Sequence, residues 1–289
     1  MRIIGIQLAD MAAEILETPE PAFDWLSAVL FVVGFVILTV WLRQYGGPKT
    51  LAAAPTRRHS VPVFLPFLIF FAWAIGFSQA TLWIEQAYQD VDKDRQVAAE
   101  YLALLALNAA VIAVILVAAR RRFARGLKGF GLNPKTLGAD AGWGAVNLLA
   151  VYPLVITGIW LVMVIGRLIA GDDFAFPVHE SLEDLADTDM VWAQVLMVVL
   201  LAGVVPVMEE LLFRGLLQSA FRGVLPGVWP AILITSALFA IVHSPYHAPG
   251  IFALSCAMGY AYERSGSLFR PICIHIFFNA TSVIASMLL

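Results

Sequence analysis

The chain has 289 residues, 61% of them hydrophobic and 13% charged, with a formal net charge of −3 and a mean hydropathy of +0.83. Soluble domains carry about 25% charged residues, and even a 300-residue fold leaves roughly a quarter of its unfolded-chain surface exposed, so this composition excludes a soluble enzyme, a disordered chain and a disulfide scaffold. The slightly acidic balance leaves no basic footprint for nucleic acid, and what remains is an all-α, polytopic bundle of membrane-crossing helices.

Residues 1–24 hold five acids (Asp10, Glu14, Glu17, Glu20 and Asp24) and one arginine. They lack the basic start and apolar core of a signal peptide and read as an acidic segment on the membrane surface. A crossing helix needs about 20 apolar residues. Eight runs qualify or nearly so: 25–42, 61–84, 101–119, 143–169, 190–208, 228–243, 249–262 and 271–289. The seventh is short enough to be re-entrant. Cys256 and Cys273 lie within apolar runs and read as small packing residues. The sequence shows no internal repeat. Three divisions follow: the acidic segment 1–24, four N-terminal spans in 25–189, and a C-terminal core in 190–289.

The connecting loops alternate in charge. Loop 43–60 carries Arg43, Lys49, Arg57 and Arg58 and no acid, whereas loop 85–100 is acidic. Loop 120–141 is basic, through Arg120, Arg121, Arg122, Arg125, Lys128 and Lys135, and loop 170–189 has seven acids and no lysine or arginine. The positive-inside rule puts the basic loops in the cytoplasm. The fifth span then runs inward toward Glu209. The Ala-rich sequence carries no eukaryotic signature, and the expected location is a bacterial plasma membrane, crossed several times.

Ionisable groups inside a membrane cost about 2.5–3.5 kcal/mol each on insertion scales and need a partner or a task. The first four spans nearly avoid them, but three clusters follow residue 200. In Glu209-Glu210-Leu211-Leu212-Phe213-Arg214, Glu210 and Arg214 are four apart and share a helix face. Glu209 is turned away by about 100°, with Phe213 rather than a cation at i+4. One carboxylate is thus paired and the other left for chemistry, unless both belong to a solvated helix end. Pro206 should kink the helix just before them. An unbroken helix from 190 to 221 would measure about 48 Å against a hydrocarbon core of about 30 Å, so it either bends or protrudes. The second cluster is Phe239-x-x-x-His243 and the third His275-x-x-x-Asn279, each pair one turn apart on one face. An interfacial histidine or interhelical hydrogen bonding would explain either alone. Together the three supply a free carboxylate, an ion pair, two imidazoles and an amide, a set that can activate water and stabilise an oxyanion.

The order E-E-x-x-x-R, F-x-x-x-H, H-x-x-x-N in consecutive spans resembles the CPBP family, which comprises the CAAX prenyl proteases of the Rce1 type and the bacterial Abi, or bacteriocin-immunity, proteins. Gly215 after the arginine, and Gly266-Ser267-Leu268 with Pro271 before the last motif, add to the likeness. The resemblance covers about residues 190–289 and implies an intramembrane endopeptidase built as a bundle of about eight helices. It implies that Glu209 activates water, that His243 holds or polarises it, and that His275 and Asn279 stabilise the oxyanion. Glu210 would orient the site through Arg214, and Phe239 would pack beside it. The implied partners are the lipid bilayer and a peptide or membrane-associated protein substrate; prenylation belongs to the eukaryotic members' substrates. No cofactor is expected in this reading. A catalytic zinc on Glu209, His243 and His275 is the alternative, since two histidines, a glutamate and a water make a familiar ligand set, although the one-helix signature H-E-x-x-H is missing. Two other readings compete: a non-catalytic immunity or assembly partner, and a proton-relaying transporter. The lack of repeats counts against the transporter.

Overall fold

The computed structural model describes residues 25–45, 48–51, 54, 57–89, 93–171, 174 and 190–288. The acidic segment 1–24 and most of the acidic loop 170–189 lie outside the described residues. Each of the eight apolar runs is a helix. They are α1 (Trp25–Tyr45), α2 (Phe64–Ala87), α3 (Lys93–Arg122), α5 (Leu137–Ala170), α6 (Val191–Val224), α7 (Trp229–Ile241), α8 (Ala248–Ser265) and α9 (Phe269–Leu288), with a one-turn α4 (Gly126–Phe130) between α3 and α5. Four of them, in α2, α3, α5 and α6, are long and apolar enough to cross a membrane; α1, α7 and α9 are shorter apolar helices.

Two lengths differ from expectation. The apolar run of the fifth span ends at 208, but α6, 34 residues long, ends only at Val224, about 51 Å from its start, because Leu211–Gln218 stays buried between neighbours instead of meeting water. The sixth run gives the shortest of the eight helices: α7 has 13 residues, about 20 Å, too little for the hydrocarbon core.

Prolines and glycines punctuate these helices where their backbone preferences dictate. Pro230 and Pro249 sit in the first turns of α7 and α8. Gly131 (φ +106°) closes α4 and Gly266 (φ +69°) closes α8, both left-handed positions that favour glycine. Small residues also let helices approach, as they do inside membranes. α5 lies against α1, α8 and α9. A Cβ on Gly158 would come within 2.7 Å of the Gly250 backbone, one on Gly144 within 2.9 Å of Cys273, and one on Gly34 would run into Leu149 and Pro153.

The basic segments gather at one end of the bundle. Ser60 N–H donates to the Arg122 carbonyl (2.9 Å), Ala124 N–H to Arg58 (3.0 Å), and Leu268 N–H to Gly131 (2.9 Å). The connections α1–α2, α3–α5 and α8–α9 therefore meet, as an alternating up–down path requires. Phe130, fully buried, anchors this end: its ring rests on Gly215 of α6, and its carbonyl accepts from the Tyr262 hydroxyl (2.9 Å). Asp140 at the start of α5 takes Arg270 at the start of α9 through Nε and Nη2, both at 3.0 Å.

Because Phe130 occupies the space a side chain at 215 would need, Gly215→Val is expected to destabilise by about 1–3 kcal/mol, the usual range for overpacking. A thermal melt in detergent reads this, and Phe130→Ala in the same chain should recover part of the loss. His59, between α1 and α2, accepts from Val61 N–H (3.3 Å) and packs on the Phe123 ring. Burial, with a smaller push from Arg57, holds its pKa below the ordinary 6.5 despite a hydrogen bond with the Ser219 backbone. A histidine kept neutral in the fold protonates more readily in the unfolded chain. Its contribution is therefore full above about pH 6.5 and lost as pH falls below it. The melting temperature should drop between about pH 7 and 5, and His59→Gln should shrink that drop.

Candidate active site

The three sequence clusters meet on facing sides of α6, α7 and α9. Glu210 is fully buried and forms an ion pair with Arg214 one turn on (Oε1 to Nη1, 3.1 Å). Further hydrogen bonds offset the desolvation of two such groups, and here they reach part of the pair, since Glu210 Oε2 and Arg214 Nε have no hydrogen-bond partner among the described residues. Arg214 Nη2 donates to the Ser255 hydroxyl (2.7 Å), and its guanidinium stacks over the Phe239 ring (4.5 Å to the centroid). Glu210 Oε1 also takes Nδ1 of His275 at 3.0 Å. A ring nitrogen facing a carboxylate carries the proton, and the other nitrogen, Nε2, faces a second carboxylate. It lies 3.7 Å from Oε2 of Glu209.

The two adjacent glutamates are thus in opposite situations, as their rotation on the helix demands. Glu210 has no exposed side-chain surface, while Glu209 keeps 16%. Phe239 joins the other members: its ring contacts those of His243 (4.5 Å between centroids), His275 (5.7 Å) and Phe213 (4.9 Å). His243 follows directly after α7, and its Nδ1 lies 2.6 Å from the Phe239 carbonyl. That bond makes Nδ1 the protonated nitrogen and leaves Nε2 as the acceptor. The shortness of α7 brings His243 to the Phe239 level; a full-length span would have carried it onward.

Asn279 sits differently from the oxyanion role implied for it. Its Nδ2 donates to the Leu201 carbonyl at 2.8 Å. The reason lies in α6. Residues Leu200–Val204 form a widened π-type turn in which Val205 N–H bonds to Leu200. Leu201 therefore loses its i+4 donor, and its i+5 residue is Pro206, which has no N–H. Asn279 supplies the missing donor. Pro206 is thus accommodated by this widened turn, a known way of absorbing proline in a helix.

Sequence reasoning missed one neighbour set. Glu210, Arg214 and Gln218 stand at i, i+4 and i+8 on α6, facing Ser255, Gly259 and Glu263 at the same spacing on α8. Gln218 donates to the Gly259 carbonyl (3.1 Å) and to Glu263 (2.9 Å). A Cβ on Gly259 would fall 2.8 Å from Gln218 Oε1. Glu263, fully buried, also meets Arg57 (3.3 Å) and Arg222 (3.6 Å). The matching polar periodicity was present in both segments, but Glu263 was read as lying just past its span. As for a metal, no group of three His, Cys, Asp or Glu side chains placed to hold an ion is found among the described residues.

A polytopic helical protein with an accessible glutamate, two histidines and a buried ion pair on neighbouring helices is the setting in which a family comparison becomes informative. Residues 191–281 match the model of the Rce1-like family, the type II CAAX prenyl endopeptidases, and so carry an Rce1-like region. All seven residues singled out in the sequence fall inside it. An uncharacterized 24.3 kDa protein of Escherichia coli is 28% identical over 126 residues, which is 42% of this chain and 58% of that protein. The match thus spans little more than half of that relative. No solved structure matches.

If Asn279 answers the carbonyl that Pro206 orphans, Asn279→Leu should cost about 1–3 kcal/mol, the price of an unsatisfied buried carbonyl. In a Pro206→Ala background, where residue 206 regains an N–H, the cost should shrink. A double-mutant cycle by thermal unfolding measures this, and equal costs in both backgrounds would refute the assignment.

Proposed function

We propose that this protein is an intramembrane endopeptidase that hydrolyses a peptide bond near the cytoplasmic membrane surface by glutamate-activated water. The observation that carries the reading is the pairing of Glu209, the one accessible carboxylate of the adjacent pair, with His275 Nε2, while Glu210 and Arg214 hold the other side of that imidazole. The match to a family of intramembrane proteases supports the reaction class.

In this mechanism Glu209 takes a proton from water as the oxygen attacks the scissile carbonyl carbon. His243 accepts a hydrogen bond from that water through Nε2. The oxyanion that forms is met by His275 and by the second Nδ2 hydrogen of Asn279, the first being engaged by Leu201. Glu209 then returns the proton to the leaving amine. Glu210, Arg214 and Phe239 position these groups without touching substrate. The eight helices would form eight crossings, α7 and α8 incompletely. The basic end would face the cytoplasm. Glu209 lies six residues before Gly215, where the α3–α5 connection docks, hence about 9 Å deeper. Substrates would be peptides or membrane-associated proteins, with lipidated C-termini one class to test.

The test is cleavage of quenched peptides in detergent, with and without a prenyl-cysteine motif. Glu209→Gln should lower turnover by about 10²–10⁴, the usual contribution of a positioned base, with the melting temperature retained. A strong chelator should leave wild-type turnover unchanged. Full activity in Glu209→Gln would overturn the proposal, and loss to the chelator would replace the glutamate mechanism with a metal one.

A further inference from the structure

We infer that the basic end of the bundle contains a binding site for a phosphate-bearing anion, of the kind carried by phospholipid headgroups. A cavity of about 560 Å³ opens there, walled by Arg57, Arg58, Arg125 and Lys128. No acidic side chain among the described residues lines it. The four cations come from two connections, α1–α2 and α3–α5, and the backbone bonds between them fix their proximity.

The charge is not neutralised locally. Arg57 meets Glu263, which it shares with Arg222. Arg58, Arg125 and Lys128 have no ion-pair partner among the described residues. Arg57 is preorganised rather than loose. Its side chain is 8% exposed, its Nη2 donates to the Tyr262 carbonyl (2.7 Å), and its guanidinium lies 3.5 Å over the Tyr262 ring. Its Nε is buried without a hydrogen-bond partner. Several like charges held around one concavity, with a buried guanidinium donor unused, are the features of a phosphate site. The lining also includes Ser267 and two left-handed glycines, Gly131 and Gly266, at the turn that ends α8 and starts α9 and at the end of α4. The position suits a lipid source. These connections lie at the end of the bundle where anionic headgroups draw basic segments. The inference does not depend on the protease reading.

The test uses the full chain in detergent. Native mass spectrometry is run with phosphatidylglycerol or phosphatidylcholine, and inorganic phosphate is added as a competitor. Wild type should retain phosphatidylglycerol in preference to phosphatidylcholine. Arg58→Gln/Lys128→Gln, at exposed side chains, should weaken phosphatidylglycerol retention at least about fivefold, given what each basic residue contributes near an anionic surface. Displacement by millimolar inorganic phosphate would assign the site to free phosphate as well; no displacement would assign it to lipid alone. Equal retention of both lipids, or equal retention by wild type and the double variant, would overturn the inference. Arg125→Gln, another exposed position, serves as a second variant should the double variant not fold, with the same direction expected.

Discussion

The interaction on which the C-terminal half depends is the ion pair of Glu210 and Arg214 inside the bundle. Two full charges there are worth little or nothing by themselves, because desolvation offsets their attraction. Their consequence is a set of obligations. Arg214 requires the Ser255 hydroxyl on α8 and a ring face from Phe239 on α7, and Glu210 requires His275 on α9. Each demand ties one more helix to α6 at one depth. Removing either ion would leave the other buried and unpaired, the costly outcome in such sites. The arrangement therefore sets the mutual depth of four helices more sharply than apolar packing, which tolerates sliding, could do.

The backbone of α6 has an equally specific part. Pro206 cannot donate, and the turn before it widens so that Leu201 points a bare carbonyl outward. A lipid-facing carbonyl in that state would be costly. Asn279 meets it from α9, one turn beyond His275. The same helix that brings the imidazole to the glutamates thus also closes the gap left by the proline. A second widened stretch, Leu211–Gln218, begins directly after Glu210 and carries Arg214 and Gln218 on the face turned to α8.

Much of this was legible from residues alone. Hydropathy located the eight long helices among the described residues, because a bilayer leaves few alternatives to a continuous apolar helix. The i, i+4 spacing gave the Glu210–Arg214 pair, and the helical rotation separated Glu209 from it. Charge alternation marked the loops that converge at one end. Three things were not legible. Whether α7 stops at Ile241 or continues depends on what its neighbours cover, and hydropathy cannot register that. The partner of Asn279 was hidden because it is a backbone carbonyl exposed by a local change of helix type. The α6–α8 ladder is less visible because Gln218 and Glu263 lie beyond the apolar runs 190–208 and 249–262, and only the common period of four joins them to Arg214 and Ser255.

The shortness of α7 has a mechanical consequence for the surrounding lipid. At about 20 Å it stops well short of a hydrocarbon layer about 30 Å thick, and the loop after it bears His243 and His247. Acyl chains beside that loop must shorten, tilt or give way to water, since mismatch is absorbed by the softer component. Local thinning of the bilayer is one way to meet such a mismatch. Under the proposed protease reading, an extended polypeptide arriving beside α7 would cross less hydrocarbon on its way to Glu209 than it would beside a full-length span.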